Sequence, residues 1–369
     1  MDHFDIVIVG GGIAGASLGA EVAGESRVLL IEAESHPGMH STGRSAAFWL
    51  ESYGGAGVAP LSTASKDFLA DPPAEFAESS FLSPRGTIHV DSTGRTDAFA
   101  FLPASVETLA MSRAELETAI PGISPRWVQA RSEPGCADID VAGLHAAYLR
   151  QFRRLGGTVW TDARLSSARH ADDRWTVLLE DGRSVTADML VDAAGAWADP
   201  VAEYCGVAPL GIAPKRRTMV QLRVGHVGLS RLPQVSDAAG SFYFKGEGDC
   251  SVWVSPHDEI ATEACDAQPE EIDIAVAIDR FEKAVDWPVE RVERSWAGLR
   301  SFAPDRLPVI GYDVAAPGFF WFAGQGGFGI QTAPAAAKLA AAVLLGREPD
   351  PMVAAFDAAI YSPARFAPR

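Results

Sequence analysis

The sequence predicts an α/β protein in which a discontinuous, Rossmann-like dinucleotide-binding domain is joined to an α+β domain built on a mixed or antiparallel sheet. At the N-terminus, a β-branched strand, a glycine turn, a helix and a second strand follow one another. Similar pieces recur in the middle and at the end of the chain, and the stretches between them hold short, broken strands. We therefore predict the dinucleotide-binding domain in residues 1–47, 139–207 and 296–369, and the second domain in residues 48–138 and 208–295.

The individual elements follow from local signals along the chain. Phe4–Val9 is a strand, "GGGIAGASLGAEVAG" a turn and helix, "RVLLIEAE" the next strand, and Pro84–Asp91 a further strand. "DVAGLHAAYLRQFRRLGG" predicts a helix that is capped by Asp140 and stopped by glycine. A hairpin is expected around Asp181-Gly182, and a helix near Glu270–Val285. The apolar "PAAAKLAAAVLLG" is too short to cross a bilayer, so we interpret it as a buried helix.

The first glycine turn has the spacing of a dinucleotide site. Gly10 permits the tight turn, Gly12 lets the backbone approach a pyrophosphate, and Gly15 lets helix and strand pack closely. Glu32 ends the second strand, where a carboxylate accepts hydrogen bonds from ribose hydroxyls. Strand, turn, helix, strand and acid together favour dinucleotide binding over a plain turn, and they leave NAD and FAD open.

The polar run "HSTGRSAA", residues 40–47, favours FAD. A nicotinamide enzyme usually continues with another βαβ crossover, whereas hydroxyls, flexible backbone and one arginine suit a longer cofactor that lies across the sheet. A polar surface loop is the alternative. Near the C-terminus, Gly324, Gly326, Gly327 and Gly329 precede a helix whose first turn we expect to contain Pro334. Its N-terminus would stabilise negative charge on a reduced flavin ring.

Composition excludes several classes of function. Thirty-one basic and 48 acidic residues give a formal net charge of -17, which argues against binding to nucleic acid or an anionic membrane. The four cysteines form no CxxC pair, so we expect neither a metal site nor a disulfide framework. With no secretory signal or transmembrane segment expected, the predicted location is cytoplasmic, or peripheral to a membrane if a quinone accepts the electrons.

Taken together, the motifs resemble a known family. "VIVGGGIAGAS", "HSTGRSAA", "VDAAGAWAD", "KRR", "SFYFK", "WAGLRSFAPDRLPVIGY" and "GQGGFGIQT" occur in the order found in FAD-dependent amino-acid oxidases and dehydrogenases of the D-amino-acid oxidase superfamily. Within it, the chain looks similar to bacterial D-arginine dehydrogenases over nearly its whole length. The resemblance implies a glutathione-reductase-type FAD domain and a noncovalent flavin, because the segment after Arg300 lacks the cysteine that sarcosine oxidases use. His40 is a remote alternative for a covalent link.

The resemblance also implies roles for residues. It places Arg217, Tyr243 and Arg300 around a substrate carboxylate, Tyr53 on a mobile loop, and the Gly327 carbonyl at the substrate amine. The implied FAD contacts are Gly10, Gly12, Ala14, Gly15, Glu32, Ala33, Ser41, Thr42, Gly43, Arg44, Ser45, Ala46, Ala47, Leu165, Gly195, Trp197, Gly326, Gly327, Phe328, Gly329, Ile330 and Gln331. A guanidinium binds a carboxylate through two parallel hydrogen bonds, and this grip would orient Cα for hydride transfer to flavin N5.

Purely structural roles are also open for the same side chains. Arg216 and Arg217 as a solvated pair, Arg300 in a salt bridge with Asp305, and Tyr243 in the core are open interpretations. The chain also departs from the D-arginine dehydrogenase pattern, because Thr87 replaces a glutamate that faces the substrate guanidinium. Phe48 and Leu50 replace a histidine and a threonine of the active-site loop. A buried cation without its carboxylate is unfavourable, so we expect a neutral, apolar or aromatic side chain on the substrate.

The resulting hypothesis is oxidative deamination of a D-amino acid to an imino acid, which water hydrolyses to a 2-keto acid and ammonia. One alternative keeps fold and cofactor but oxidises a secondary amine such as sarcosine or another N-alkyl amino acid. Another is a non-catalytic flavin protein that passes electrons to a partner. The sequence leaves open the electron acceptor, the stereochemistry and the oligomeric state.

Overall fold

The computed structural model describes residues 1–367. Within this range the α-helices are α1 (Ile13–Val22), α2 (Ala59–Ala70), α3 (Arg113–Ala119), α4 (Val141–Arg154), α5 (Ala198–Tyr204), α6 (Glu271–Ala284) and α7 (Gly329–Leu345). The strands are β1 (Asp2–Val9), β2 (Val28–Ile31), β3 (Phe48–Trp49), β4 (Leu82–Pro84), β5 (Thr87–Asp91), β6 (Leu109–Met111), β7 (Gln129–Glu133), β8 (Ala137–Ile139), β9 (Thr158–Trp160), β10 (Leu165–Ala171), β11 (Arg174–Leu179), β12 (Ser184–Asp192), β13 (Ala213–Val224), β14 (Gln234–Asp237), β15 (Tyr243–Gly246), β16 (Ser251–Ser255), β17 (Ile260–Ala261), β18 (Val289–Phe302), β19 (Val309–Tyr312), β20 (Phe319–Ala323) and β21 (Gln325–Gly326).

The first sheet has the order β10-β11-β12-β1-β2-β9, with β20 beside β12 and β19 beside β20. Its centre is parallel, because β1 pairs in parallel with both β12 and β2, and β9 extends the row. The four residues of β2 are fully buried, as expected for a parallel strand that is covered on both faces. All these strands come from the segments assigned to the dinucleotide-binding domain, which confirms the predicted fold class.

The second sheet has the order β21-β18-β13-β16-β15-β14-β5-β7-β6, and β17 pairs with β13. Its pairs are antiparallel except for β14 with β5, so the sheet is mixed as predicted. A small third sheet joins β3, β8 and β4. One feature differs from the predicted domain limits: β18 runs unbroken from Val289 to Phe302 along β13, so the expected boundary at residue 296 falls inside a strand of the second sheet.

Local capping signals explain the helices. Asp140 caps α4 by accepting the Gly143 N–H at 2.9 Å, and Asp181-Gly182 turns the hairpin between β11 and β12. The expected strand over residues 84–91 is split, because Arg85 and Gly86 form a turn between β4 and β5. The prediction for Pro334 is corrected as well: α7 begins at Gly329, so Pro334 lies inside the helix rather than in its first turn.

In residues 1–367, every helix is too short or too polar to span a bilayer. The buried, apolar α7 packs against α1 and α2 on one face of the first sheet. Its alanine-rich surface lets the three helices approach closely, with the apolar side chains of α1 and α7 in one continuous core.

The end of β12 carries a buried carboxyl group. Asp192 accepts the Ala194 N–H at 3.0 Å with Oδ1, while Oδ2 has no hydrogen-bond partner within the described residues. Burial raises the pKa of Asp192 well above its usual value, the Ala194 N–H opposes this, and the charge of Asp199 adds to the rise. Folding therefore favours the protonated form of this carboxyl group.

This carboxyl group predicts a pH-dependent stability. A carboxyl group whose pKa rises on folding stabilises the native state below its unfolded pKa of about 3.9, and this contribution is lost as pH rises through the folded pKa. We expect Asp192→Asn to raise the free energy of unfolding at pH 8 by about 1 kcal/mol, with a smaller gain at pH 5. Asp188→Asn, at an exposed position of the same strand, is the control. Denaturant titration at both pH values measures the difference, and an equal effect at each pH would contradict the assignment.

Candidate active site

The two sheets and the loops between them enclose one long cavity of about 690 Å³, within the range of roughly 300–1,000 Å³ usual for cofactor and ligand sites. Nearly all of the predicted site residues line it. They are Gly10, Gly12, Ala14, Glu32, Ala33, Ser41, Thr42, Arg44, Ser45, Ala46, Ala47, Leu165, Gly195, Trp197, Gly326, Gly327, Gly329, Ile330, Gln331, Phe48, Leu50, Tyr53, Arg217, Tyr243 and Arg300. The fold thus gathers side chains that lie as far apart in sequence as Gly10 and Gln331.

The glycine turn at the start of α1 has the geometry that the motif predicted. Gly10 has φ +106°, and a Cβ there would lie 2.6 Å from the Ala193 carbonyl oxygen. A Cβ on Gly15 would overlap the Gly10 carbonyl oxygen, so Gly15 serves close packing beneath the turn and does not line the cavity. The first turn of α1, including Ala14, opens into the cavity, where a helix leaves its N–H groups unpaired.

Glu32 is held at the edge of the same turn. Its Oε2 accepts the Gly11 N–H and its Oε1 the Glu34 N–H, both at 2.9 Å. These bonds fix the carboxylate at the cavity wall and leave it acceptor sites for two ribose hydroxyls. Thr42 supports the turn from the other side, because its Oγ1 accepts the Ile13 N–H at 3.0 Å.

The loop of residues 40–47 is fastened to the second sheet. Ser41 Oγ donates to the Leu299 carbonyl at 2.6 Å, and Arg44 donates to the carbonyls of Ala267 and Ala297 and pairs with Asp266. The charge of Arg44 is therefore engaged within the protein, although the residue borders the cavity. Gly43 does not reach the cavity, because its N–H turns inward to the Gly38 carbonyl at 2.8 Å.

At the other end of the cavity, the glycine loop before α7 approaches Arg300. A Cβ on Gly327 would overlap the guanidinium of Arg300, so only glycine leaves room for that side chain. The first turn of α7 lines the cavity through Gly329, Ile330 and Gln331. Phe328, predicted to contact the cofactor, instead packs into a small core with Val58 and Phe302.

Arg217 and Arg300 come from the neighbouring strands β13 and β18. The Nε of Arg217 donates to the Asp258 carbonyl at 2.7 Å, while its Nη2 has no hydrogen-bond partner in the described chain. Arg300 donates from Nη1 to Glu259 at 3.1 Å, and its Nη2 contacts the Tyr53 hydroxyl. Burial, with a smaller effect of Arg306, lowers the pKa of Arg300 to about 9, so the guanidinium stays charged at neutral pH.

Two carboxylates lie near these guanidinium groups: Asp258 Oδ1 is 3.8 Å from Arg217 Nε, and Glu259 is near both arginines. Glu259 Oε1 lies 3.0 Å from Arg306, 3.1 Å from Arg300 and 3.5 Å from Arg217 Nη2. Burial alone would raise the pKa of Glu259, but the hydrogen bond and charge of Arg306, with the charges of Arg217 and Lys215, hold it below its usual value. Glu259 therefore pairs with both of the guanidinium groups that line the cavity.

The two open alternatives for the arginines are wrong. Arg300 does not pair with Asp305, which binds Arg365 instead. Arg216 is buried and pairs with Glu270 and Asp273, so the arginine pair is not solvated. The Tyr243 hydroxyl borders the cavity and donates to Met219 Sδ at 3.1 Å. Burial raises the pKa of Tyr243 while the charge of Arg217 opposes that rise, so the hydroxyl remains a donor.

The prediction that Thr87 lines the pocket is corrected. Thr87 is fully buried, and its hydroxyl donates to Gln234 Oε1 at 2.8 Å, so Gln234 covers it and faces the cavity in its place. The further lining residues that sequence reasoning missed include His89, Met219, Gln234, Ser236 and His257. Alternation along β5 and β14 was the available signal, because Thr87 and His89, like Gln234 and Ser236, are two residues apart and share one face of the sheet.

His257 lies next to Tyr243. Its Nδ1–H donates to the Gly240 carbonyl at 2.5 Å, and the ring centroids of the two residues are 5.8 Å apart. Burial and the charge of Arg217 lower the pKa of His257 to about 4. The imidazole is therefore neutral at physiological pH and leaves Nε2 as an acceptor.

A match to a known protein family is consistent with this architecture. A family model described as FAD dependent oxidoreductase, DAO, matches residues 5–343. The chain belongs to this DAO family. FAD is accordingly its cofactor, and the cavity fits it: two helix N-termini and the Glu32 carboxylate line one continuous space.

Individual relatives of the DAO-family protein are distant. FAD-dependent oxidoreductase domain-containing protein 1 of Bos taurus is 28% identical over 190 residues, which is 45% of this chain and 37% of that protein. Glycine oxidase of Pseudomonas aeruginosa is 25% identical over 385 residues, 97% of this chain and 98% of that protein. The solved structure of glycine oxidase from Geobacillus kaustophilus matches with a TM-score of 0.83 and 21% identity over 99% of both chains. The chain spans about a third to a half of the length of the first curated relatives.

Substitution of Gly15 in the glycine turn is expected to lower the amount of bound cofactor. Gly15→Ala forces a methyl group against the Gly10 carbonyl, so we expect about 1–3 kcal/mol of destabilisation and a fall in bound FAD. Gly24→Ala is the control, because a Cβ there meets only Leu155 side-chain atoms, the nearest at 3.8 Å. The ratio of flavin absorbance to protein and the thermal midpoint measure both effects. Full flavin content in Gly15→Ala would refute the packing role.

Proposed function

We propose that this protein uses FAD to oxidise the Cα–N bond of a D-amino acid with an uncharged side chain, giving an imino acid that water converts to a 2-keto acid and ammonia. The observation that carries the proposal is the pair of buried guanidinium groups that share one carboxylate beside the glycine loop of α7. The D configuration rests on the order of motifs that the chain shares with D-amino-acid oxidases.

The arginines and Tyr243 would bind the α-carboxylate of the substrate. Arg217 offers a buried Nη2 with no bonded partner among residues 1–367, and Arg300 lies on the adjacent strand. Charge-assisted hydrogen bonds from guanidinium groups are strong and directional, so the carboxylate would fix the position of Cα. The hydroxyl of Tyr243 would add a neutral donor without further charge.

The loop with Tyr53 would complete the site. Tyr53 contacts Arg300, and its ring packs against Phe328 at a centroid distance of 5.2 Å. The Gly327 carbonyl would accept an N–H of the substrate amine. When bound, FAD supplies the acceptor for the two electrons that leave the Cα–H bond as hydride. The side chains orient the substrate and exclude water, and orientation supplies much of the rate.

The hydrogen bonds of Glu133 support the expectation that the substrate side chain is uncharged. Glu133 lies directly across the strand pair from Thr87. Its carboxylate already accepts the Ser52 N–H, the Ser52 hydroxyl and the His89 ring N–H, so a cationic side chain would have to displace bonds within the protein. Phe48 and Leu50 add apolar lining.

A secondary amine is the second candidate substrate. The Gly327 carbonyl would provide one acceptor, and a secondary amine such as sarcosine retains the single N–H that this contact needs. We also propose that FAD is bound noncovalently. The four cysteines are absent from the described cavity lining, although His40 is part of it.

Anaerobic reduction of the bound flavin tests the reaction. We expect D-leucine, D-methionine and D-phenylalanine to bleach the flavin absorbance faster than D-arginine, because Glu133 is not free to bind a guanidinium. The L-enantiomers and sarcosine complete the panel. Faster bleaching by D-arginine would contradict the uncharged side chain, faster bleaching by sarcosine would favour the secondary amine, and an unbleached flavin throughout would overturn the proposed activity.

The carboxylate clamp is tested by Arg300→Lys. A lysine loses the bidentate geometry and the contact with Tyr53, so we expect kcat/KM to fall at least about a hundredfold. Flavin content should stay unchanged. Arg131→Lys is the matched control. Arg131 lies on β7 of the same sheet, bonds Thr108 and does not line the cavity. An Arg300→Lys enzyme with wild-type kcat/KM would exclude a role in substrate binding.

A further inference from the structure

We propose that Gln234 and Ser236 form a hydrogen-bonding subsite for an uncharged oxygen atom on the substrate side chain. The inference deepens the proposed function and rests on it. Both residues lie on β14, and the strands follow in the order β18-β13-β16-β15-β14, so β14 is three strands from Arg217. With strands about 4.8 Å apart, this places the pair about 14 Å across the cavity floor from the arginine strand.

Gln234 is oriented by a bond that leaves its amide nitrogen available. The hydroxyl of Thr87 donates to Gln234 Oε1 at 2.8 Å, so the oxygen is engaged and the NH₂ group lies on the other side. Gln234 is only 5% exposed, and it lines the cavity. The NH₂ group of Gln234 is therefore available to donate to a ligand oxygen in the cavity.

Ser236 ends a buried chain of hydrogen bonds. Ser236 Oγ lies 2.9 Å from His89 Nδ1, and His89 Nε2 lies 3.2 Å from Glu133 Oε2. Glu133 and His89 are both nearly fully buried, so these bonds hold Ser236 in one position. Ser236 lines the cavity, and a hydroxyl oxygen with one hydrogen bond to His89 keeps at least one lone pair for a ligand.

A donor and an acceptor on one strand suit a group that both accepts and donates. The amide NH₂ of Gln234 and the Oγ of Ser236 would bind a hydroxyl or a primary amide group on the substrate side chain. A second carboxylate is disfavoured, because an ionised carboxylate has no proton to donate to Ser236 Oγ. The ring of Phe101 shields the network at the mouth of the cavity, 5.5 Å from the ring of His89. Hydrogen bonds in such a dry site discriminate strongly between a polar group and its apolar isostere.

Isosteric substrate pairs test the subsite in the FAD-bound enzyme. We expect kcat/KM for D-threonine to exceed that for D-valine by about tenfold or more, and D-asparagine to exceed D-leucine likewise. Perturbation of the flavin spectrum gives the same ratios for amino acids that bind without being oxidised, so the subsite is tested even where turnover fails. Ratios of one or below would overturn the subsite and leave the proposed oxidation intact. Preference for D-aspartate over D-asparagine would overturn the uncharged ligand.

Substitutions of Gln234 and Ser236 test whether these residues cause the preference for D-threonine over D-valine. Gln234→Met and Ser236→Ala should bring the D-threonine to D-valine ratio close to one, mainly by lowering kcat/KM for D-threonine, and Ser236→Thr should restore it. Gln221→Met is the matched control, because Gln221 bonds Glu293 and Trp253 on the same sheet away from the cavity. Flavin content and thermal midpoint show that each variant is folded. An equal loss for both substrates would mean that Gln234 and Ser236 act only in folding.

Discussion

The active site depends on two largely buried guanidinium groups that lie beside one carboxylate. Glu259 lies within 3.5 Å of guanidinium nitrogens from Arg217, Arg300 and Arg306, in a chain with a formal net charge of -17. Such a cluster is stable only where opposite charges and hydrogen bonds compensate the lost hydration. Because Arg217 and Arg300 lie on paired strands of the second sheet, the register of β13 with β18 sets the spacing of the two cations. The positions of these two cations are therefore set by sheet pairing rather than by net charge.

Close backbone approach constrains both ends of the cavity. At one end, Gly15 packs on the carbonyl of Gly10, and at the other Gly327 leaves room for the guanidinium of Arg300. Each end opens on the first turn of a helix, α1 or α7, where N–H groups and the positive end of the helix dipole face the cavity. The two helices pack against each other over the first sheet. The contact between α1 and α7 therefore links the two ends of the cavity.

The second sheet carries chemistry on a single face. His89 of β5 and Gln234 and Ser236 of β14 line the cavity, while Ile88 and Val235 are buried in the apolar core. The sheet therefore presents cationic groups on β13 and β18 and uncharged polar groups on β14 to one cavity. A loop pairing ties this face to the rest of the site, because Ser52 binds Glu133 and Tyr53 contacts Arg300.

The sequence by itself determined the fold class and the cofactor end of the cavity. Gly10, Gly12, Gly15 and Glu32 act through local backbone geometry, and a local motif encodes that geometry directly. Thr87 lies beneath Gln234, Phe328 turns into a core, and β18 crosses the expected domain boundary, because each outcome depends on pairing between distant segments. The partners of Arg217 and Arg300, and the network that joins His89 to Glu133, were likewise decided only by tertiary structure. The direction of a side chain depends on which strand pairs with its own strand, and the local sequence does not specify that partner.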